Sequence, residues 1–434
     1  MTTPLWDKGQ TDIDRELMAF TAGEDVILDR QLFRYDIQAS SAHVRGLGRI
    51  DILSREEVDA LTGALQDLNL AFEAGEFLLN DRFEDGHSAI EFYLTEKLGE
   101  LGKKVHTGRS RNDQVLVAQR LFLRDALGSI AEHSQAIAGA CLERADQNRD
   151  TPMPGYTHLQ RAVPSSVGMW FAGFAEAFLD NAELARSTAR WLNANPLGTA
   201  AGYGVNLPLD RSGVGEELGF ARMQINPIYT QNSRGKFELQ ALMALLQALL
   251  DLRRLAWDLS LFTTEEFAFV DLPDAYTTGS SIMPNKRNPD VVELLRAATS
   301  PAIGAVNELL SLLSLPSGYH RDLQHTKGPV LRALTRGITA LGLTAPLLQA
   351  LSFDERRLKD AITGPMYATD RAVELTTTGV PFRDAYRQVG AELDQLNART
   401  PAESLQSRTS PGGCADLRLD ELRERLQALA TSGA

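Results

Sequence analysis

Cysteine is nearly absent from this 434-residue chain: only Cys141 and Cys414 occur, far apart. Two isolated thiols supply neither a disulfide framework nor a cysteine-rich zinc site, so a reducing, cytoplasmic setting is expected. A basic excess is missing too. Against 57 acidic residues stand 44 lysines and arginines, a formal charge of −13. Binding to nucleic-acid phosphate draws on released counterions and so on surplus cations; no nucleic-acid partner is expected. No apolar run is long enough for a membrane. The most apolar stretch, residues 239–250, is broken by Gln240 and Gln247 and followed by Asp251, Arg253 and Arg254, whereas a span needs about 18–20 apolar residues. The N-terminus, charged across residues 12–16, carries no apolar signal core. Missing as well are a dinucleotide fingerprint, a phosphate loop, a His-Glu-x-x-His pair, a Gly-x-Ser-x-Gly elbow and iron–sulfur spacing. What remains is acid–base work on a small anionic substrate, with no cofactor and no metal.

What the sequence does have is helical period. Residues 236–269 contain neither Gly nor Pro, and Leu242, Leu245, Leu249, Leu252, Ala256 and Leu259 recur at alternating steps of three and four. A helix of roughly 30 residues reaches on the order of 45 Å. Such a rod cannot bury its stripe alone, and residues 114–148, 165–193, 290–315 and 330–351 offer apolar partners. No matching run of alternating β-branched residues exists, so strands should be minor. The pattern predicts an all-α protein of three domains: helices in residues 1–105, a central long-helix bundle over 106–352, and helices in 353–434.

Four polar clusters interrupt these helices. Residues 106–114 bring Arg109, Ser110, Arg111 and Asn112 to the start of the first long helix, where backbone amides favour a carboxylate; a capped helix with solvated arginines explains them equally well. Residues 155–164 place Thr157 and His158 in a short loop between helices, where a lone histidine is more often structural than catalytic. The third cluster is Gly279-Ser-Ser-Ile-Met-Pro-Asn-Lys-Arg-Asn-Pro-Asp290. Asn288 as N-cap and Pro289 as first helical residue account for its end. They do not account for hydroxyls on a glycine loop beside Lys286, a combination able to stabilise an oxyanion. In the fourth, Tyr319, Gln324 and Lys327 fall at steps of five and three.

The third cluster resembles the signature loop of the fumarase/aspartase superfamily, whose members eliminate fumarate across a Cα–Cβ bond. Residues 84–87, 106–114, 155–164, 195–198, 319–327 and 379–383 resemble its argininosuccinate lyase branch in order and spacing. That resemblance implies reversible cleavage of argininosuccinate into arginine and fumarate, the last step of arginine biosynthesis. It also implies a homotetramer whose active sites gather loops from three subunits. In the catalytic roles it places Ser280 as base, His158 as acid, Glu293 orienting that histidine, and Lys286 with Asn288 holding the reacting carboxylate. Ser110, Arg111, Asn112 and Thr157 then contact chiefly the succinate half, Tyr319, Gln324 and Lys327 the remainder, and His87 the wall. Two segments depart from the pattern. The family's N-terminal substrate serine is replaced within Thr21-Ala-Gly-Glu-Asp-Val26, so a backbone amide near Gly23 is expected in its place. Residues 229–238 differ as well. The neighbouring readings are adenylosuccinate lyase and a non-catalytic, crystallin-like protein on the same scaffold.

Overall fold

The computed structural model describes residues 20–80, 82–396 and 399–431; the charged segment at 12–16 lies outside them. The first helices are α1 (Phe33–Arg49), α2 (Arg55–Glu73) and α3 (Gly86–Leu98). Both α2 and α3 start at capping boxes, Ser54 with Glu57 and Asp85 with Ser88, which satisfy amides that a helix leaves unpaired. Next come α4 (Arg111–Gln147), α5 (Val167–Leu192) and α6 (Lys236–Phe262), then the shorter α7 (Asp290–Ala297) and α8 (Thr299–Leu312), and the long α9 (Lys327–Ala350). The C-terminal part holds α10 (Ala368–Thr377), α11 (Phe382–Ala391) and α12 (Leu419–Thr431). With 37 residues, α4 is about 55 Å long. The seam read from α6 is real: each of its six residues is at most 1% exposed. Among the described residues no helix is long and apolar enough to cross a membrane.

The chain divides into two compact units. The first comprises residues 1–129, 185–245 and 300–336. Its core stacks Phe33 on Phe77 and packs Ile37, Leu61, Leu65 and Leu94 around them. A second cluster joins Tyr35, Leu121, Val214, Phe220 and Leu331. The second unit comprises residues 130–184, 246–299 and 337–434. There Trp170 meets Phe171, Phe262 and Phe353 edge-on, and its indole N–H donates to Asp258 at 2.9 Å. Buried aromatics of this kind combine a large apolar area with directional contacts.

Four local expectations change. The loop around His158 is an antiparallel hairpin of β1 (Pro152–Thr157) and β2 (Gln160–Ser166). Residues 290–315 form two helices rather than one, because Pro301 has no N–H with which to continue the ladder from α7 into α8. The long helix over 236–269 stops at Phe262. Thr263 and Thr264 turn their hydroxyls back onto the carbonyls of Leu259 and Leu261, and Ala268 takes φ +44°. Lastly, α7 starts at Asp290 with Pro289 in the cap position. Asn288 does not cap, because its backbone pairs with Thr278 through bonds of 2.7 and 3.0 Å.

Candidate active site

In the first unit, a cleft of about 450 Å³ collects the predicted binding residues Ser110, Arg111, Asn112, Tyr319, Gln324 and Lys327. The start of α4 positions the first three. Ser110 offers its N–H to Asp113 at 3.0 Å, and its hydroxyl accepts the Asn112 N–H at 3.3 Å. Asp113 is fully buried. Its other oxygen accepts the amides of Gly198 and Ala200 at 3.0 and 2.9 Å, which ties the 195–200 turn to the helix start. Gly198 must be glycine here: its φ is +85°, and a Cβ would meet Arg211 Cγ at 2.7 Å.

Charges in the cleft are organised in pairs. Arg111 Nη1 lies 2.8 Å from Glu84 and 3.2 Å from Asp85. Lys327 is 1% exposed, its Nζ at 2.6 Å from Asp29 and 3.0 Å from Asp25. Burial opposes its charge, but the two carboxylates outweigh burial and raise its pKa. Gln324 donates to the carbonyls of Thr21 and Ala22 at 3.0 and 3.2 Å, and its amide oxygen accepts from Arg321. The segment that lacks the expected serine is therefore strapped to the cleft. His106, also on the wall, is held neutral. Burial, together with Arg109 and His87, lowers its pKa to about 4.

His87 does not line this cleft. It is 6% exposed and pairs through Nδ1 with the buried Asp36; Arg109 donates to Ser40 beside them. Further residues on the cleft wall were not among the predicted site residues, among them Asp25, Glu84, Asp85, His106, Arg234 and Arg321. Asp25 stands four residues before Asp29, which places both on one face of a short helix, Asp25–Asp29. That spacing was the only local signal, since their partner Lys327 is remote in sequence.

The remaining candidates belong to the second unit. Thr157 and His158 are exposed at the hairpin tip, and His158 and Leu159 both have positive φ, +55° and +58°. Such a two-residue turn favours Asn-Gly, and a bulky pair there is strained. Thr157 also lines a cavity of about 740 Å³ with Asp370, Arg399 and Arg408. Ser280, Lys286 and Asn288 share the loop that the Thr278–Asn288 pair closes. Ser280 Oγ accepts the N–H groups of Ile282 at 3.3 Å and Met283 at 3.0 Å. Ile282, at the tip, is 83% exposed, and Lys286 is exposed beside it. Glu293 pairs only with Arg296 among the described residues, and no hydrogen bond or ion pair joins it to His158. Among the described residues, no three His, Cys, Asp or Glu side chains converge as metal ligands would.

A protein-family model described as Lyase matches residues 10–304. Argininosuccinate lyase of Stenotrophomonas maltophilia strain R551-3 is 58% identical over 431 residues, which cover 99% of this chain and 100% of that one. The chain belongs to the argininosuccinate lyase family. The Xanthomonas campestris pv. campestris strain B100 member is 57% identical over 430 residues, again 99% of this chain and 100% of its own. Among solved structures, EDDS lyase in complex with formate superposes with a TM-score of 0.79 at 24% identity, covering 97% of this chain and 92% of that one. A fumarate lyase from Mesorhizobium sp. BNC1 gives 0.70 at 18%, covering 95% and 94%. These two likenesses show the fold, which is all-α and fumarase/aspartase-like.

Proposed function

We propose that this lyase reversibly cleaves argininosuccinate into L-arginine and fumarate, the last step of arginine biosynthesis. The observation that carries this reading is near-full-length identity of 58% to a relative named for that reaction. The chemical difficulty is a carbon acid. Removing a Cβ proton beside an ionised carboxylate builds a second negative charge on that carboxylate, and every 1.36 kcal/mol of stabilisation is worth tenfold in rate. Lys286 and Asn288 hold that developing dianion, with the amides at the start of α7 behind them.

Ser280 takes the Cβ proton. A free hydroxyl is too weak an acid to serve as an alkoxide near neutrality. The two amides aimed at Ser280 Oγ favour its ionised form, as does the ammonium of Lys286 in the same loop. Exclusion of water strengthens both effects. The Cβ electron pair then forms the double bond as the C–N bond breaks, and His158 protonates the departing guanidino nitrogen. Glu293, which does not reach His158 within one chain, orients it across a subunit boundary. Arg111, Asn112, Ser110 and Thr157 engage the succinate half; Tyr319, Gln324 and Lys327 engage the amino-acid half. His87, behind the wall, steadies it through Asp36.

Active sites assembled between subunits of a cytoplasmic homotetramer fit this division of labour. A loop tip as apolar and exposed as Ile282–Met283 needs cover, which a neighbouring subunit supplies. The three-domain reading, 1–105, 106–352 and 353–434, is kept for that subunit. Purified protein mixed with argininosuccinate should generate the ultraviolet absorbance of fumarate. Turnover of adenylosuccinate in its place would overturn the specificity, and turnover of neither would overturn the enzyme assignment.

A further inference from the structure

Asp25, Asp29 and Lys327 form a triad in which one ammonium serves two carboxylates, leaving one negative charge in excess. The two carboxylates are not equivalent. Asp29 is 7% exposed and has both oxygens engaged, one by Lys327 and the other by the Gly86 N–H at 2.8 Å. Asp25 is 18% exposed and lines the cleft, and Lys327 is its only ion-pair partner among the described residues. The excess charge therefore faces the space a substrate would fill. Two further cations lie nearby without touching Asp25, although the charge of Arg234 favours the ionised form of Asp25. Arg234 is buried, donates to Thr326 Oγ1 at 3.4 Å and lies 6.0 Å from the Tyr319 ring centre. Arg321 donates to the carbonyl of Thr21 at 2.8 Å. Neither makes an ion pair with Asp25.

Resting on the function proposed above, we infer that Asp25 is a specificity-determining residue, whose carboxylate receives the α-ammonium group of the amino-acid half of the substrate. An under-neutralised carboxylate in a cleft is stabilised by a compact, hydrogen-bonding cation, and an ammonium offers three donors. Burial raises the pKa of Asp25, which an arriving cation would reverse. Segment 21–26, where the family's neutral serine is missing, thus supplies a charge to the cleft. A ligand without the ammonium leaves Asp25 to share Lys327 with Asp29 and forgoes the contact, which is the basis of discrimination.

The test compares two competitive inhibitors of argininosuccinate cleavage, L-arginine and 5-guanidinopentanoic acid, which differ only in the α-ammonium group. The wild-type chain should bind arginine about 10–100-fold more tightly. In Asp25→Asn that preference should shrink to within about threefold, through weaker arginine binding, while the inhibition constant of the deaminated compound stays nearly unchanged. Asp25→Ser should behave alike, and Asp25→Glu should restore preference for arginine. Equal weakening of both inhibitors, or a preference untouched by Asp25→Asn, would overturn the assignment. A wild-type chain that cleaves no argininosuccinate would overturn the function it rests on, a distinct result read before any variant is made.

Discussion

Ser280 Oγ lies 3.0 Å from the amide nitrogen of Met283, three residues ahead in the same loop, and receives its hydrogen. The loop is held by the Thr278–Asn288 closure and by Arg287, which donates to the Leu272 carbonyl at 2.6 Å and pairs with Asp274 at 2.9 Å. A hydroxyl already solvated by two amides has part of the stabilisation an alkoxide needs.

In the proposed mechanism, replacing Ser280 by alanine removes the proton acceptor and leaves the binding groups of the first-unit cleft intact. Steady-state kinetics on argininosuccinate should show kcat lower by about 10²–10⁴-fold with KM within a few-fold of wild type. A rise in KM with kcat preserved would make Ser280 a positioning residue.

His158 occupies a turn whose backbone suits asparagine better. His158→Asn should raise stability by about 1 kcal/mol through relief of the φ +55° conformation. It should also cut turnover by about 10²-fold or more, because the amide cannot protonate the leaving nitrogen. Urea denaturation and steady-state kinetics read the two effects separately. Loss of stability together with activity would point to a structural histidine.

Acid should weaken the fold through His43, which is buried with its Nε2 at 2.9 Å from the Thr107 carbonyl. Burial, reinforced by Arg109, lowers its pKa from 6.5 to about 3. Between those values the unfolded chain takes up a proton that the folded chain refuses. The stabilisation is whole above pH 6.5 and drains away as the pH falls toward 3. From pH 7 to pH 5 this amounts to about 2 kcal/mol. His43→Gln, compared with wild type by urea midpoints at both pH values, should lose less stability on acidification by that amount. Parallel losses would show that His43 titrates normally.

Periodicity made the long helices legible, because a buried stripe on α6 must repeat with the helical turn whatever packs against it. The hairpin was hidden for an equally physical reason. Its strands carry Pro152, Pro154, Gly155 and Pro164, residues that suppress any strand signal and are tolerated only where a two-stranded ribbon leaves N–H groups unneeded. The first-unit cleft was half legible. Ser110, Arg111 and Asn112 announce themselves as a polar run at a helix start, and Tyr319, Gln324 and Lys327 as another. That Lys327 is fixed by Asp25 and Asp29, or that His87 turns inward to Asp36, depends on pairings between remote segments, which no local pattern encodes.

In the proposed mechanism the ammonium group of Lys286 meets charge that develops on the substrate carboxylate. The most direct measurement is kcat for argininosuccinate cleavage by Lys286→Met, a substitution at an exposed loop position that the fold should tolerate. A fall of about 10²–10³-fold is predicted, since the charge that offsets the dianion is gone. Turnover equal to wild type would contradict it.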